Sequence, residues 1–152
     1  MPDKQTLKRA RRDRRQGKAA STQAGEFVRE EIHHVREGKH GSRSTKQAIA
    51  IGLSKARRAG VDLPPPEPGK TSRATRASAA RDYARGHGAA VRRKPSAKRA
   101  RAASRALQRE GHAAATPRAL AGHALAAAEQ HTKTERSAAA RKAARTRKRR
   151  AH

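Results

Sequence analysis

The large apolar side chains of this chain are concentrated in residues 26–64, where their spacing is helical. Val28, Ile32 and Val35 recur at positions i, i+4 and i+7, which places them on one face of an α-helix. Gly38 follows this stripe and is the residue type that most readily adopts the left-handed conformation found after the last helical turn. The pattern therefore predicts an amphipathic helix that ends near Gly38.

A second stripe with the same spacing follows, formed by Ile49, Leu53 and Ala56. Ser44 precedes it, and Gln47 stands three residues after Ser44, which is the signature of a capping box. In that motif two side chains satisfy backbone N–H groups at the start of a helix. The sequence therefore predicts a second helix that begins just after Ser44.

Neither helix can bury its stripe alone, and a connection of about seven residues allows the two to fold into an antiparallel hairpin. Elsewhere alanine, arginine and lysine dominate, and alanine buries too little apolar area to hold helices together. The predicted fold class is therefore all-α, a small helical hairpin with largely disordered or transiently helical basic flanks. The predicted segments are a basic disordered arm at 1–20, the hairpin at 21–62, a Pro-rich spacer at 63–70 and an Ala/Arg-rich basic tail with marginal helices at 71–152. The predicted hairpin core consists of Val28, Ile32, Val35, Ile49, Leu53 and Ala56.

The net charge of the chain indicates which kind of partner it binds. The 152 residues include 39 Lys and Arg against 12 Asp and Glu, a net charge of +27, and most of the excess lies in the flanks. Such a chain repels itself and favours a polyanionic partner, of which nucleic acid is the commonest. A membrane partner is not expected, because no segment combines the basic charge with a bulky apolar face. The absence of cysteine excludes disulfides and thiolate metal sites and fits a cytoplasmic protein.

Phosphate contacts are expected from the basic residues and from the loop that precedes the second helix. Two glycines and several cations stand there before a helix N-terminus, whose free N–H groups attract anions. Docking of a phosphate on Ser44, Thr45 and Lys46 is one interpretation of this loop, and glycines that only turn the chain are the other; both can hold. With one Phe, one Tyr and no Trp, the chain offers no platform for stacking bases, which favours contact with the backbone of DNA over recognition of RNA loops. The predicted nucleic-acid-binding residues are Arg43, Ser44, Lys46, Arg57, Arg58, Arg147, Lys148, Arg149 and Arg150.

Histidine and glutamate alternate in the first predicted helix. Glu30 and His34 are separated by four residues, as are His33 and Glu37, and either pair would share a helix face. Without a third convergent ligand or an HExxH order, these pairs are interpreted as a solvated helix face. We therefore expect no metal. No enzymatic activity, cofactor or small-molecule substrate is expected either, because the chain has no buried scaffold that would hold a catalytic triad. The turn between the helices is also longer than that of a helix-turn-helix.

The motifs of the hairpin resemble a family of small uncharacterised bacterial proteins, a domain of unknown function with a core of the form G-K-H-G…S-x-K-Q-A-I-A-I-x-L-S-x-A. The resemblance implies membership of that family and no mechanism. The basic tail is similar in composition to bacterial linker-histone-like proteins. The residues that carry the family resemblance are Lys39, His40, Gly41, Lys46, Gln47, Ala48, Ile49, Ala50, Ile51, Leu53, Ser54 and Ala56.

These observations together predict a bacterial, cytoplasmic, nucleoid-associated or histone-like protein that binds DNA without regard to sequence by neutralising its phosphates. The hairpin is expected to position the protein or to form a homodimer. Two alternatives stay open: an RNA-binding or ribosome-associated basic protein, and a protein-interaction module with adhesive tails.

Overall fold

The computed structural model describes residues 2–89 and 96–150, together with the side chains of these residues up to Lys148. Throughout this part of the chain the regular structure is helical and no strand occurs, which confirms the all-α prediction. The prediction of a small hairpin with disordered flanks is wrong, because helices also form on both sides of the hairpin. The elements are α1 (Lys4–Arg15), α2 (Ala20–Arg36), α3 (Thr45–Arg58), α4 (Arg73–Gly86), α5 (Ala97–Arg109), a 3-10 turn (Ala113–Ala115), α6 (Pro117–Glu129) and α7 (Lys133–Arg150).

The chain divides into two compact units, Met1–Thr116 and Pro117–His152. In the first unit, α2 and α3 form the predicted hairpin. The centre of α3 approaches α2 closely at Gly52, where a Cβ atom would lie 2.6 Å from the Cα of Val28. Small residues at intervals of four, Ala48, Gly52 and Ala56, are the buried positions of this face, while Ile49 and Leu53 are half-buried. The close approach therefore selects small side chains at the centre of the contact.

The start of α3 has the predicted cap with one difference. The hydroxyl of Ser44 accepts a hydrogen bond from the backbone N–H of Gln47 at 3.2 Å. The side chain of Gln47 accepts in return from the N–H of Arg43 at 2.9 Å, one residue before the position that a capping box prescribes. Both ends of the motif are therefore satisfied, and the entry of the chain into α3 is held by two side chains.

Helix α1 packs on α2, although no stripe of large apolar residues predicted it. Its buried positions are Thr6, Ala10 and Asp13, which follow the i, i+4, i+7 pattern with small and polar residues. Asp13 is compensated by the ammonium of Lys18 at 2.5 Å, and Arg9 pairs with Glu26 of α2 at 2.5 Å. The basic arm folds because it contributes small side chains and matched charges to a core that also contains Ala24 and Phe27 of α2.

The Pro-rich segment and α4 both contact α3. The guanidinium of Arg57 donates hydrogen bonds to the carbonyl oxygens of Leu63 at 3.0 Å and Pro64 at 3.4 Å. Helix α4 adds a hydrogen bond from Ser54 to Asp82, and the hydroxyl of Tyr83 donates to Asp62 at 2.6 Å. Leu63 and Pro64 of the Pro-rich segment therefore contact α3 through Arg57.

The second unit, Pro117–His152, buries no side chain completely in its described part. Its helices depend on local interactions. Thr132 and Glu135 form a full capping box, since the Thr132 hydroxyl accepts from Glu135 N–H at 3.2 Å and Thr132 N–H donates to the Glu135 carboxylate at 2.8 Å. Arg136 donates to the carbonyl of His131 at 2.6 Å. Alanine and arginine both favour helix, so α6 and α7 form from propensity and caps with little tertiary packing. None of the described helices is long and apolar enough to cross a membrane.

Candidate functional site

The loop that precedes α3 is occupied by a later part of the same chain. The N–H of Gly41 donates to the carbonyl of Leu107 at 2.8 Å, and the N–H of Ser42 donates to that of Gly111 at 3.0 Å. Gly41 has to be glycine here, because a Cβ atom would lie 1.8 Å from the carbonyl oxygen of Glu110. Residues 107–115 therefore dock on this loop through backbone hydrogen bonds.

This docking also uses the hydroxyl expected to hold a phosphate. Thr45 donates its hydroxyl hydrogen bond to the carbonyl of Ala114 at 2.7 Å, in a buried position. Arg36 of α2 donates to the carbonyl of Ala115 at 2.8 Å, and Ala115 is fully buried. Several donors of the predicted phosphate cradle are thus engaged by the chain itself, and docking of a phosphate on Ser44, Thr45 and Lys46 stays a prediction.

The predicted contact residues of the hairpin lie at opposite ends of α3. Arg43, Ser44 and Lys46 are exposed at its start, and the Arg43 guanidinium lies 3.3 Å from the Glu110 carboxylate. Arg58 is exposed at its end, about 18 Å from Lys46 along the helix axis. These cations do not form one cluster.

Arg57 differs from the other predicted contact residues because it is 8% exposed. Its donors are directed to Leu63 and Pro64. Burial lowers the pKa of the Arg57 guanidinium, and the charge of Asp82 opposes this change. Arg57 therefore connects α3 to the Pro-rich segment, and its guanidinium is turned into the fold.

The predicted contact residues at the end of the chain belong to α7. Arg147 and Lys148 are exposed, and the side chains of Arg149 and Arg150 lie outside the described residues. Helix α7 contains nine Lys or Arg and a single acidic residue, Glu135. Its lysine and arginine residues are distributed around the whole circumference of the helix, so α7 has no apolar face.

Sequence reasoning missed a second basic surface, on α5. Lys98, Arg101, Arg105 and Arg109 recur at intervals of three and four residues, which places all four on one face, and all four are exposed. The stripe is roughly 16 Å long, about five base-pair steps of a DNA duplex. The helical spacing of these basic residues was a signal available in the sequence. It was not used, because helix faces were predicted from apolar residues alone.

A cluster of charged and imidazole side chains lies where α2, α3 and the loop meet. The Lys55 ammonium is 2.6 Å from Oε2 of Glu31 and 3.5 Å from Oε1 of Glu30, and both carboxylates are buried. His40 Nε2 lies 3.2 Å from Oε1 of Glu31. His34, one turn after Glu30 on α2, lies beside them with its Nε2 3.4 Å from Asp3 Oδ2.

The sequence predicts that no third ligand converges on the glutamate and histidine of α2. The structure brings two such residues from elsewhere in the chain, since Glu31, His34 and His40 form one group of potential ligands, and Asp3, Glu30 and His34 form another. In each group the donor atoms lie within 4.8 Å of one another. His40 comes from the loop and Asp3 precedes α1, so neither shares a helix with His34.

Two hydrogen-bonded pairs outside this cluster have shifted pKa values. The hydrogen bond between Lys39 and Glu37, whose charged atoms are 3.0 Å apart, lowers the pKa of Glu37 and raises the pKa of Lys39. In α4, the hydrogen bond to Asp62 raises the pKa of the Tyr83 phenol. Both shifts reflect the same use of carboxylates as partners of neighbouring donors.

Geometry thus defines an all-helical protein with a folded hairpin region and basic exposed helices. Residues 3–67 match the model of a family of unknown function, DUF6496. This match confirms the resemblance of the hairpin region to an uncharacterised family. Neither the curated proteins nor the solved structures contain a match to this chain.

Proposed function

We propose that this protein binds the phosphate backbone of nucleic acid, duplex DNA in preference to RNA, without reading the base sequence. The exposed lysine and arginine side chains of α5 and α7 make the contacts. In a bacterial cell such a protein would associate with the nucleoid in the cytoplasm. The proposal includes no catalysis and no small-molecule substrate.

The observation that carries the proposal is how the two signs of charge are used. Ten of the 12 carboxylates have an ion-pair or hydrogen-bond partner within the chain. The lysine and arginine side chains of α5, and most of those of α7, face solvent instead. A carboxylate that is paired with a cation repels an approaching polyanion less than an unpaired carboxylate does. The exposed lysine and arginine side chains therefore set the local electrostatic potential. The partnered carboxylates are Asp3, Asp13, Glu26, Glu30, Glu31, Glu37, Asp62, Asp82, Glu110 and Glu135.

Two further features support contact with the backbone of a duplex. The α5 stripe and α7 present cations without aromatic side chains, which favours phosphate contact over stacking on unpaired bases. The apolar faces of the hairpin contact α1 and α4 within the same chain. Dimerisation through the hairpin is therefore left out of the proposal.

The test is a salt titration of the full-length protein with a random-sequence DNA duplex and with a structured RNA of equal length. A variant in which Arg141, Lys142, Arg145, Arg147 and Lys148 of α7 become Gln should lose about 4 to 5 units from the slope of log K against log salt, because each phosphate contact contributes about 0.9. Gln keeps a helix propensity close to that of the residues it replaces. The control retains the charge, with Arg141, Arg145 and Arg147 changed to Lys, and should keep the slope.

The α5 stripe is tested in the same way with Lys98, Arg101 and Arg105 changed to Gln, for an expected slope reduction of about 3 units. Unchanged slopes in both Gln variants would overturn the proposed interface. A clear preference for RNA at equal salt would overturn the choice of DNA and favour the RNA-binding alternative.

A further inference from the structure

We propose that Glu31, His34 and His40 form a binding site for one divalent transition-metal ion, with zinc as the biological candidate. The three residues come from two consecutive turns of α2 and from the loop after it. Two imidazole nitrogens and one carboxylate oxygen are a donor set that zinc accepts. This proposal is independent of nucleic-acid binding.

The distances fit a small ion. A zinc ion holds nitrogen and oxygen ligands at about 2.0–2.2 Å, so neighbouring ligand atoms of a tetrahedral site are roughly 3.3 Å apart. His40 Nε2 and Glu31 Oε1 already lie 3.2 Å apart. The donor atoms of all three residues lie within 4.8 Å of one another, so small side-chain rotations bring His34 into the same shell.

The buried carboxylate is the second, independent observation. The Glu31 side chain is 1% exposed, and neither of its oxygens accepts a hydrogen bond of normal geometry from the described residues. Lys55 is near Oε2, but its single ammonium faces both Glu31 and Glu30, so two buried negative charges share one positive charge. Burial of uncompensated charge is costly, and a divalent cation at Oε1 supplies the missing positive charge.

The orientation of His40 points to a cation at its other nitrogen. Nδ1 of His40 lies 3.0 Å from the carbonyl oxygen of Gly41, which can only accept, so Nδ1 carries a proton. In a neutral ring Nε2 then presents a lone pair to the Glu31 oxygen, and two lone pairs at that distance repel unless a proton or a cation lies between them. Metal-binding histidines are commonly held this way, with the second ring nitrogen donating to a backbone carbonyl.

The surroundings provide support and access. Lys55 contacts Oε2 of Glu31 and leaves Oε1 for the ion. Metal ligands are commonly oriented in this way by a neighbouring residue that does not itself bind the ion. Asp3 lies beside His34 and is exposed, but it groups with Glu30 and not with Glu31 and His40, so a water molecule rather than Asp3 completes the coordination. A surface groove lined by Asp3, Glu30 and His34 gives solvent access to the His34 side of the site.

The experiment uses full-length protein freed of metal with a chelator and then titrated with Zn²⁺ by calorimetry. We expect one saturable site per chain, and a decrease in affinity of at least about tenfold in His40→Gln and in Glu31→Gln, since each substitution removes one ligand. The matched control is His33→Gln, because His33 is exposed on the same helix and belongs to neither ligand group. The control should bind as the unsubstituted protein does.

Thermal unfolding of the same proteins separates a lost ligand from a lost fold. Zn²⁺ should raise the melting temperature of the unsubstituted protein and of His33→Gln, and at the same Zn²⁺ concentration should raise that of a folded His40→Gln variant less. If His40→Gln does not fold without metal, His34→Gln replaces it in both measurements. No saturable binding by the unsubstituted protein, or equal affinity in the His40 or His34 variant and the His33 variant, would overturn the proposal and leave Lys55 and His40 as the partners of Glu31.

Discussion

Helices α2 and α7 are both rich in charged residues, yet they use charge in opposite ways. In α2 the carboxylates of Glu30 and Glu31 are buried and face Lys55 of α3. In α7 the described side chains are exposed, and its acidic residue serves in the capping box at the helix start. A charge inside the fold needs a matched partner because it has lost its water, whereas an exposed charge keeps its water and acts through its field.

The largest expected difference between the two regions comes from removing one lysine from each. Lys55→Met leaves two buried carboxylates without their ammonium and should reduce the free energy of unfolding by about 3 kcal/mol or more. Lys142→Met on exposed α7 should change it by less than about 0.5 kcal/mol. Urea denaturation in the presence of chelator, followed by circular dichroism, measures both. Equal effects would mean that the buried cluster contributes no more than a surface charge does.

A smaller effect is expected from adding one methyl group at each of two glycines. Gly41→Ala places a Cβ atom against the carbonyl of Glu110, so residues 107–115 should undock at a cost of roughly 2 kcal/mol. Gly25→Ala, in α2 with open space around it, should stabilise by about 0.5–1 kcal/mol because alanine favours helix. Hydrogen exchange at the N–H of Ser42 reports the docking directly. Unchanged protection in Gly41→Ala would contradict the described contact.

The smallest effect is expected at the single tyrosine. The hydrogen bond to Asp62 raises the pKa of Tyr83, so the neutral phenol is favoured in the folded protein. This contribution to stability is present below the unfolded pKa of about 10 and is lost as the pH rises through the folded value. Asp62→Ala should move the phenol titration, followed by absorbance, towards about 10. An unchanged titration curve would show that Asp62 does not interact with the phenol in solution.

Parts of this fold were predictable because they depend on neighbours in the sequence. The apolar stripes predicted α2 and α3, and Ser44 predicted the cap of α3. Helix α1 was missed because its buried face is made of Thr6, Ala10 and Asp13, which no hydrophobic pattern reveals. The basic stripe of α5 was visible in the spacing of its residues, and the capping box of α7 in the order Thr132 to Glu135.

The candidate metal ligands show the limit of such reasoning. Glu31 and His34 are close in the sequence, but the third ligand, His40, follows the end of α2 and meets them because the loop turns back. The docking of residues 107–115 had no signal in the sequence, because it rests on backbone hydrogen bonds and on small residues such as Ala115.

The sequence by itself determined that the chain is helical and strongly basic, because helix periodicity, caps and net charge are local or additive properties. The tertiary structure decided which charges are buried and which residues meet. Thr45 bonds to Ala114, 69 residues away, and Asp3 reaches Glu30 across 27 residues. Such contacts depend on how whole helices pack, and no local pattern of residues encodes them.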